Sequence, residues 1–248
     1  MIDVLLPLRK FKHWVVLPSL GLVFDLKGGR FLTDGCTLEI PKDQTDLAFR
    51  SQFLLRTYEA RELRMVRKFV RPTDSVLELG ACLGVISCVT NKRLGPQSRH
   101  LVVEANPRCL ATLTQNRDRN HCSFQIENCA VGDPAMSQFA LDDGNITGGR
   151  LHQSSGTTVR PPVKSFRQLQ SERGPFNVLV CDIEGAELDL FEQSADLFKS
   201  LRLVIVELHD FFIGNDGVAR CQEVMKRAGL ELVAAERGVE AWQRESVA

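Results

Sequence analysis

Four short apolar runs of this chain end on an acid or a glycine turn: Glu78-Leu79-Gly80, Glu104, Asp182 and Glu207. Glu184 stands two residues after Asp182, and His209 two after Glu207. Such groups can do three kinds of chemistry. A carboxylate that accepts from two hydroxyls anchors a nucleoside, at roughly 1.5–3 kcal/mol per charge-assisted hydrogen bond. A carboxylate or an imidazole can take up a proton, and an ordinary histidine titrates near neutrality, at about pH 6.5. Oxygen and imidazole donors together can also collect a divalent ion.

The first run continues as Gly80-Ala81-Cys82-Leu83-Gly84. Its two glycines let a ligand approach the backbone while the amides at a helix start face it. Cys82 and Val85 occupy the places of the second and third glycines of a G-x-G-x-x-G turn, so a nicotinamide dinucleotide is disfavoured. Glu104 closes the next run, at a spacing compatible with an acid that holds both hydroxyls of a ribose. Acids at strand ends are also ordinary solvated or capping residues, and glycines also serve tight packing. It is the pairing of turn and acid that points to a ligand.

Elements that would position these groups follow from the apolar pattern. Ser75–Leu79, His100–Glu104, Phe124–Val131, Phe176–Asp182 and Leu203–Glu207 are nearly continuous apolar runs, as expected of strands covered on both faces. Helical patterns alternate with them. One covers Asp46 to Phe69, a second Gly84 to Leu94, and a third starts at Asn106-Pro107 as N-cap and first residue. A fourth carries Leu188, Phe191, Ala195 and Phe198 on one face, and a fifth carries Val218, Cys221, Met225 and Ala228 and stops at Gly229. Residues 132–162, with Gly144, Gly148, Gly149 and Gly156, read as an insertion with short strands, and its glycine-rich part, 142–162, as part of a lid or acceptor wall or equally as a solvated loop. Glu231 to Trp242 reads as a closing antiparallel hairpin turned at Arg237-Gly238. Strict alternation implies an α/β fold, a mainly parallel sheet with helices on both faces, whose ligand crevice lies outside the carboxyl ends of the strands. Residues 1–45 read as an appendage of short strands and turns, and 46–248 as one domain.

The 248 residues carry 31 basic and 31 acidic side chains and are 44% hydrophobic, which excludes a disordered chain and leaves no net field to draw it onto nucleic acid. Eight cysteines stand without a C-x-x-C pair, so zinc-ribbon and thioredoxin readings fall away and a reducing, cytoplasmic setting is expected. Cys88 and Cys221 fall within apolar patterns, as small hydrophobes do. The apolar stretch Trp14 to Phe24 is broken by Pro18 and Gly21 and is shorter than the about 20 residues of a membrane span. Arg9, Lys10 and Lys12 follow Leu5 and Leu6 rather than preceding them, so no secretory leader is expected.

Several separated segments together resemble the class I methyltransferases that use S-adenosylmethionine, and more narrowly the FkbM family. Tyr58-Glu59-Ala60-Arg61-Glu62 is similar to its Y-E-x-x-E helix start, and Val76 to Gly84 to its D-x-G-A-x-x-G cofactor turn, with glutamate for aspartate. Val103-Glu104-Ala105-Asn106-Pro107 resembles the second-strand acid, Ala130-Val131-Gly132-Asp133 the third strand end, Asp182-Ile183-Glu184-Gly185-Ala186-Glu187 the D-x-E-G-x-E element, and Glu207-Leu208-His209 the E-x-H strand end. Two positions depart: Cys181 stands where lysine often precedes D-x-E-G, and Ser165-Phe166 replaces a common L-D.

The resemblance implies a Rossmann-like methyltransferase binding S-adenosylmethionine. Glu59, Glu78, Gly80, Ala81, Cys82, Gly84, Glu104, Ala105, Asn106, Ala130, Val131 and Asp182 would line the cofactor. Glu104 would hold the ribose, and Ala130-Val131 would flank the adenine. His209, Asp182 and Glu184 are the candidate catalytic groups, with His209 the preferred base. No metal is expected, although Asp182, Glu184, Glu207 and His209 offer donors for magnesium or manganese. The acceptor implied is a hydroxyl of a sugar, glycan or secondary metabolite. Rival readings are methylation at nitrogen, on a protein or on a lipid, and a catalytically silent binding domain docking through its basic and apolar first 20 residues.

Overall fold

The computed structural model describes residues 15–132, 139–141, 150–151 and 157–245. From the amino end come α1 (Leu17–Leu26), the hairpin of β1 (Arg30–Thr33) and β2 (Cys36–Glu39), then α2 (Leu47–Leu54) and α3 (Ala60–Phe69). The alternating section is β3 (Val76–Leu79), α4 (Val85–Arg93), β4 (His100–Val103), α5 (Leu110–Arg119) and β5 (Gln125–Glu127). Short strands β6 (Ala130–Val131), β7 (Phe139–Leu141), β8 (Arg150–Leu151), β9 (Thr157–Val159) and β10 (Val163–Lys164) follow. Next are α6 (Phe166–Arg173), β11 (Val178–Cys181), α7 (Glu187–Gln193), a 3-10 turn at Leu197–Ser200, β12 (Leu203–Glu207), α8 (Asp210–Arg227), β13 (Glu231–Glu236) and β14 (Val239–Gln243).

The main sheet has the order β13-β14-β12-β11-β3-β4-β5, parallel from β12 to β5 and antiparallel at the β14 and β13 edge. The chain enters at β3, steps outward to β5 and returns to β11 on the other side, so the winding reverses between β3 and β11. A ligand crevice belongs there, at the carboxyl ends.

Alternation within each apolar run builds two cores. Val76, Val102, Val178, Val180, Leu203 and Ile205 face α3 and α4 through Leu63, Val66, Val85 and Val89. Leu77, Leu101, Leu179, Val204 and Val206 face the other way, onto Phe166, Leu169, Phe191, Cys221 and Met225. Cys88 and Cys221 are buried within these layers, as their apolar settings imply. Among the described residues no helix is long and apolar enough to cross a membrane.

Several element readings are corrected. Leu17–Leu26 is a helix rather than strands and turns. Pro18 sits in its first turn, where no backbone donor is lost, and a Cβ on Gly21 would stand 1.9 Å from the Leu47 carbonyl oxygen, so the glycine is there for contact between α1 and α2. The helix sketched over Asp46–Phe69 is two helices, broken by left-handed backbone at Arg56 and Glu59. The helix after β4 begins at Leu110, not at Pro107, because the Asn106 side chain accepts from the Arg108 amide (3.0 Å) and shapes a preceding turn. Phe124–Val131 divides into β5, paired with β4, and β6, paired with β10. The helix drawn through Phe198 ends at Gln193, and Phe198 lies in the 3-10 turn. The insertion has strands, in the order β8-β7-β9, while Gly144, Gly148, Gly149 and Gly156 fall outside the described residues. The closing hairpin turns where expected, with Arg237 and Gly238 both at positive φ.

Described residues before position 45 are stitched to the body. Thr37 and Glu39 donate their amides to Asn120 and Asn116 of the α5 region, each at 2.7 Å, and Phe24, Phe31 and Leu38 join the core that contains Val76.

Asp74 fastens the amino ends of three strands. It is buried and accepts from Arg202 (2.9 and 2.5 Å), Asn177 (3.1 Å) and the Arg71 amide (2.7 Å), while Arg202 also reaches the Phe69 carbonyl. Replacing Asp74 with alanine leaves a half-buried guanidinium without its counter-charge, and the expected loss is about 3–5 kcal/mol. A urea titration should show a lower midpoint at unchanged slope.

Candidate active site

The turn after β3 is forced by close backbone packing. Gly80 donates to the Val103 carbonyl (3.0 Å) and the Asp182 amide to that of Leu79 (2.9 Å), which carries the ladder one residue past the strands. A Cβ on Gly80, whose φ is +84°, would lie 1.6 Å from the Asp182 carbonyl oxygen. Gly84, at φ +81°, starts α4 and closes the turn by donating to the Ala81 carbonyl (2.8 Å). Cys82 between them is also left-handed.

Glu104 leaves β4 beside this turn. Its two carboxylate oxygens accept from the amides of Cys82 and Asn106, each at 2.7 Å, and every carboxylate oxygen has a second lone pair. Burial pushes its pKa up, against the pull of these amides. Asn128 holds the local backbone by donating to the Glu104 carbonyl (2.7 Å).

The opposite end is built from the loop between β11 and α7 and the end of β12. Glu184 and Gly185 have positive φ, and a Cβ on Gly185 would meet the Phe212 Cβ at 2.8 Å. Glu187 is wholly buried and accepts from the Gly185 amide (3.0 Å) and from His209 Nδ1 (2.7 Å). His209 Nε2 then lies 3.6 Å from Asp182 and 3.7 Å from Glu184. Burial draws the imidazole pKa down, but Glu187, Asp182 and Glu184 outweigh it and carry it up to about 9. The expectation of a histidine titrating near 6.5 is therefore corrected: at neutral pH His209 holds its proton.

Carboxyls crowd this end. Burial, then Glu207, Glu184 and Glu62, raise Asp182 well above the usual range against the opposing charge of His209. Burial and a shared hydrogen bond with Glu207 raise Glu62 to about 7. Glu59, left-handed at the start of α3, is raised by burial and by Cys82, with Tyr58 as its hydrogen-bond partner.

A cavity of about 740 Å³ joins the two ends. Among the sequence-derived candidates, Glu59, Gly80, Cys82, Glu104, Ala105, Asn106, Ala130, Val131, Asp182 and Glu184 line it, with Tyr58, Glu62 and Glu207. Glu78, Ala81 and Gly84 do not. Glu78 is inside the sheet, where strand alternation turns it toward α4; it accepts from Ser87 Oγ and pairs with His100 Nε2 at 3.1 Å. Ala81 is buried and supports the turn from behind. His209 stands behind Asp182 and Glu184 rather than in the wall. Sequence reasoning passed over Glu62 and Glu187 as site residues, although each lies three residues after a named acid, the spacing that places two side chains together at a helix start.

The family model described as the methyltransferase FkbM domain matches residues 78–232. In fold the chain is similar to the precorrin-6y C5,15-methyltransferase of Geobacter metallireducens, at 10% identity and a TM-score of 0.48, over 75% of this chain and 88% of that one. It is also similar to the ribosomal protein L11 methylase of Lactobacillus delbrueckii subsp. bulgaricus, at 12% identity and a TM-score of 0.45, over 76% and 80%. A third is the Aeropyrum pernix fibrillarin with natively bound S-adenosyl-L-methionine, at 15% identity and a TM-score of 0.44, over 70% and 66%. No curated protein matches in sequence. With the model covering more than half of its length, including the turn, Glu104, the D-x-E-G-x-E loop and His209, the chain belongs to the FkbM methyltransferase family.

Proposed function

We propose that this protein binds S-adenosylmethionine in the cavity and transfers its methyl group to a hydroxyl of a sugar, glycan or secondary metabolite. The observation that carries the reading is one cavity with the Gly80–Cys82 turn and Glu104 at one end and Asp182 and Glu184 at the other.

The lining fits the cofactor. S-adenosylmethionine carries a sulfonium and an ammonium against one carboxylate, and when bound it supplies an electrophilic methyl. Among the described lining residues the ionisable groups are Asp46, Glu59, Glu62, Glu104, Asp182, Glu184 and Glu207 against Arg61, so even with Glu59, Glu62 and Asp182 protonated the balance suits a cation. Glu59 Oε2 is shielded from solvent with no hydrogen-bond partner among the described residues, so it has an acceptor to offer an ammonium.

Glu104 uses its remaining lone pairs on the ribose hydroxyls, and Gly80 lets the backbone pass close beneath the amino-acid half. Ala130 and Val131 give the adenine an apolar wall. At the other end Asp182 orients the acceptor hydroxyl and Glu184 takes its proton as the O–H bond is exchanged for O–CH3. His209 keeps its own proton and, bonded to Glu187, holds the two acids in place. Orientation supplies much of the rate gain, with a ceiling of about 7–11 kcal/mol for ideal alignment.

Calorimetry should show saturable S-adenosylmethionine binding, and incubation with methyl-labelled cofactor and fractionated extract should label a hydroxyl oxygen. No binding at millimolar cofactor would overturn the reading, and label found on nitrogen would replace the acceptor class.

A further inference from the structure

We propose that Asp182, Glu207 and His209 form a binding site for a first-row divalent cation, with manganese(II) the best match to two carboxylates and one imidazole. One donor atom from each residue lies within 4.8 Å of the others, and no other group of three such side chains converges in this way among the described residues.

Two further observations point to a cation rather than to a chance crowd of acids. His209 Nε2 and Asp182 Oδ1 are 3.6 Å apart, too long for a hydrogen bond. Two donors at bonds of about 2.0–2.2 Å to one ion are separated by roughly 2.8–3.1 Å when octahedral and roughly 3.3–3.6 Å when tetrahedral, so a closure of about half an ångström would seat an octahedral ion between them. Asp182 Oδ1 is shielded from solvent and has no hydrogen-bond partner among the described residues.

The second observation is the outer support. Glu187, wholly buried, accepts from Nδ1 and leaves Nε2 on the side of Asp182, the carboxylate–histidine arrangement by which proteins orient a metal-bound imidazole; the incoming ion displaces the Nε2 proton that His209 otherwise carries. Glu62, also buried, faces Glu207 and, when protonated, donates to it. A small rotation of one carboxylate would bring the wider donor pairs into range, and Arg61, at 3.7 Å from Glu207, is half-exposed and able to swing aside.

The use of the cation rests on the methyltransferase reading, but its binding does not. Bound between these residues, it would accept the acceptor's hydroxyl oxygen as a ligand and make that proton more acidic, so that it passes to Glu184 while the oxygen lone pair is directed to the methyl.

Chelator-treated full-length protein should be titrated with manganese(II) chloride and free ion followed by its electron paramagnetic resonance signal. One ion per chain is expected. Asp182→Asn and Glu207→Gln should each weaken binding at least tenfold, and Glu187→Gln, acting through His209, by about 10–100-fold. Thermal melting confirms that each variant is folded. No uptake at millimolar manganese, or equal uptake by wild type and the folded variants, overturns the proposal. S-adenosylmethionine binding is measured on the same samples: cofactor without metal sinks the cation site alone, and metal without cofactor sinks the methyltransferase reading alone.

Discussion

Replacing Glu104 with alanine is expected to weaken S-adenosylmethionine binding by roughly 10²–10⁴-fold, since two charge-assisted hydrogen bonds contribute about 3–6 kcal/mol together. The carboxylate sits at 2.7 Å from both the Cys82 and the Asn106 amides, so it also holds the turn that meets the cofactor. Alanine removes the ribose partner and strands two amides, and both effects lower affinity. Glu104→Gln separates them, because it keeps one carbonyl acceptor. It should melt nearer the wild type than the alanine variant does, yet still lose most of the affinity. Calorimetry on both variants, with melting curves recorded with and without cofactor, checks this. Near wild-type affinity in either would remove Glu104 from the ribose.

Gly80→Ala should abolish cofactor binding and cost at least about 4 kcal/mol of stability, the range reserved for strain that the fold cannot relax. The methyl group would fall 1.6 Å from the Asp182 carbonyl oxygen, and φ is +84°. The oxygen belongs to backbone in the β3–β11 ladder, so relief requires parting two central strands. Gly132→Ala is the matched control: a Cβ there meets nothing within 4 Å among the described residues, its φ is not in the left-handed range, and the change should stay within about 0.5 kcal/mol. Denaturant midpoints for the pair check the contrast. A Gly80→Ala protein as stable as Gly132→Ala would mean that the strands do not meet at this turn.

Both effects were partly legible in the sequence. The two-sided apolar runs demanded a covered parallel sheet, and the acids that end them fell at its carboxyl edge because a parallel sheet points every such end the same way. Gly80 and Glu104 could be named from that alone. Glu78 could not be placed correctly, since one position earlier or later in a strand reverses the side chain, and the register that sends it to Ser87 and His100 is set by pairing with β4 and β11. The amino-terminal helix was hidden for a similar reason. Pro18 and Gly21 look like breakers until Leu47 is seen pressing against Gly21.

The order of apolar runs and turns, read along the chain, determined the layer architecture, the family and the acids at the crevice, because periodicity and local motifs are properties of neighbours in sequence. Tertiary structure alone decided the charge on His209 and the convergence of Asp182, Glu207 and His209. The proton on that imidazole depends on Glu187, Asp182 and Glu184, and those on Glu62 and Asp182 depend on how deeply each is buried and which acid faces it. Electrostatic energy falls off with distance through space, and distances between the ends of separate strands are written only in the fold.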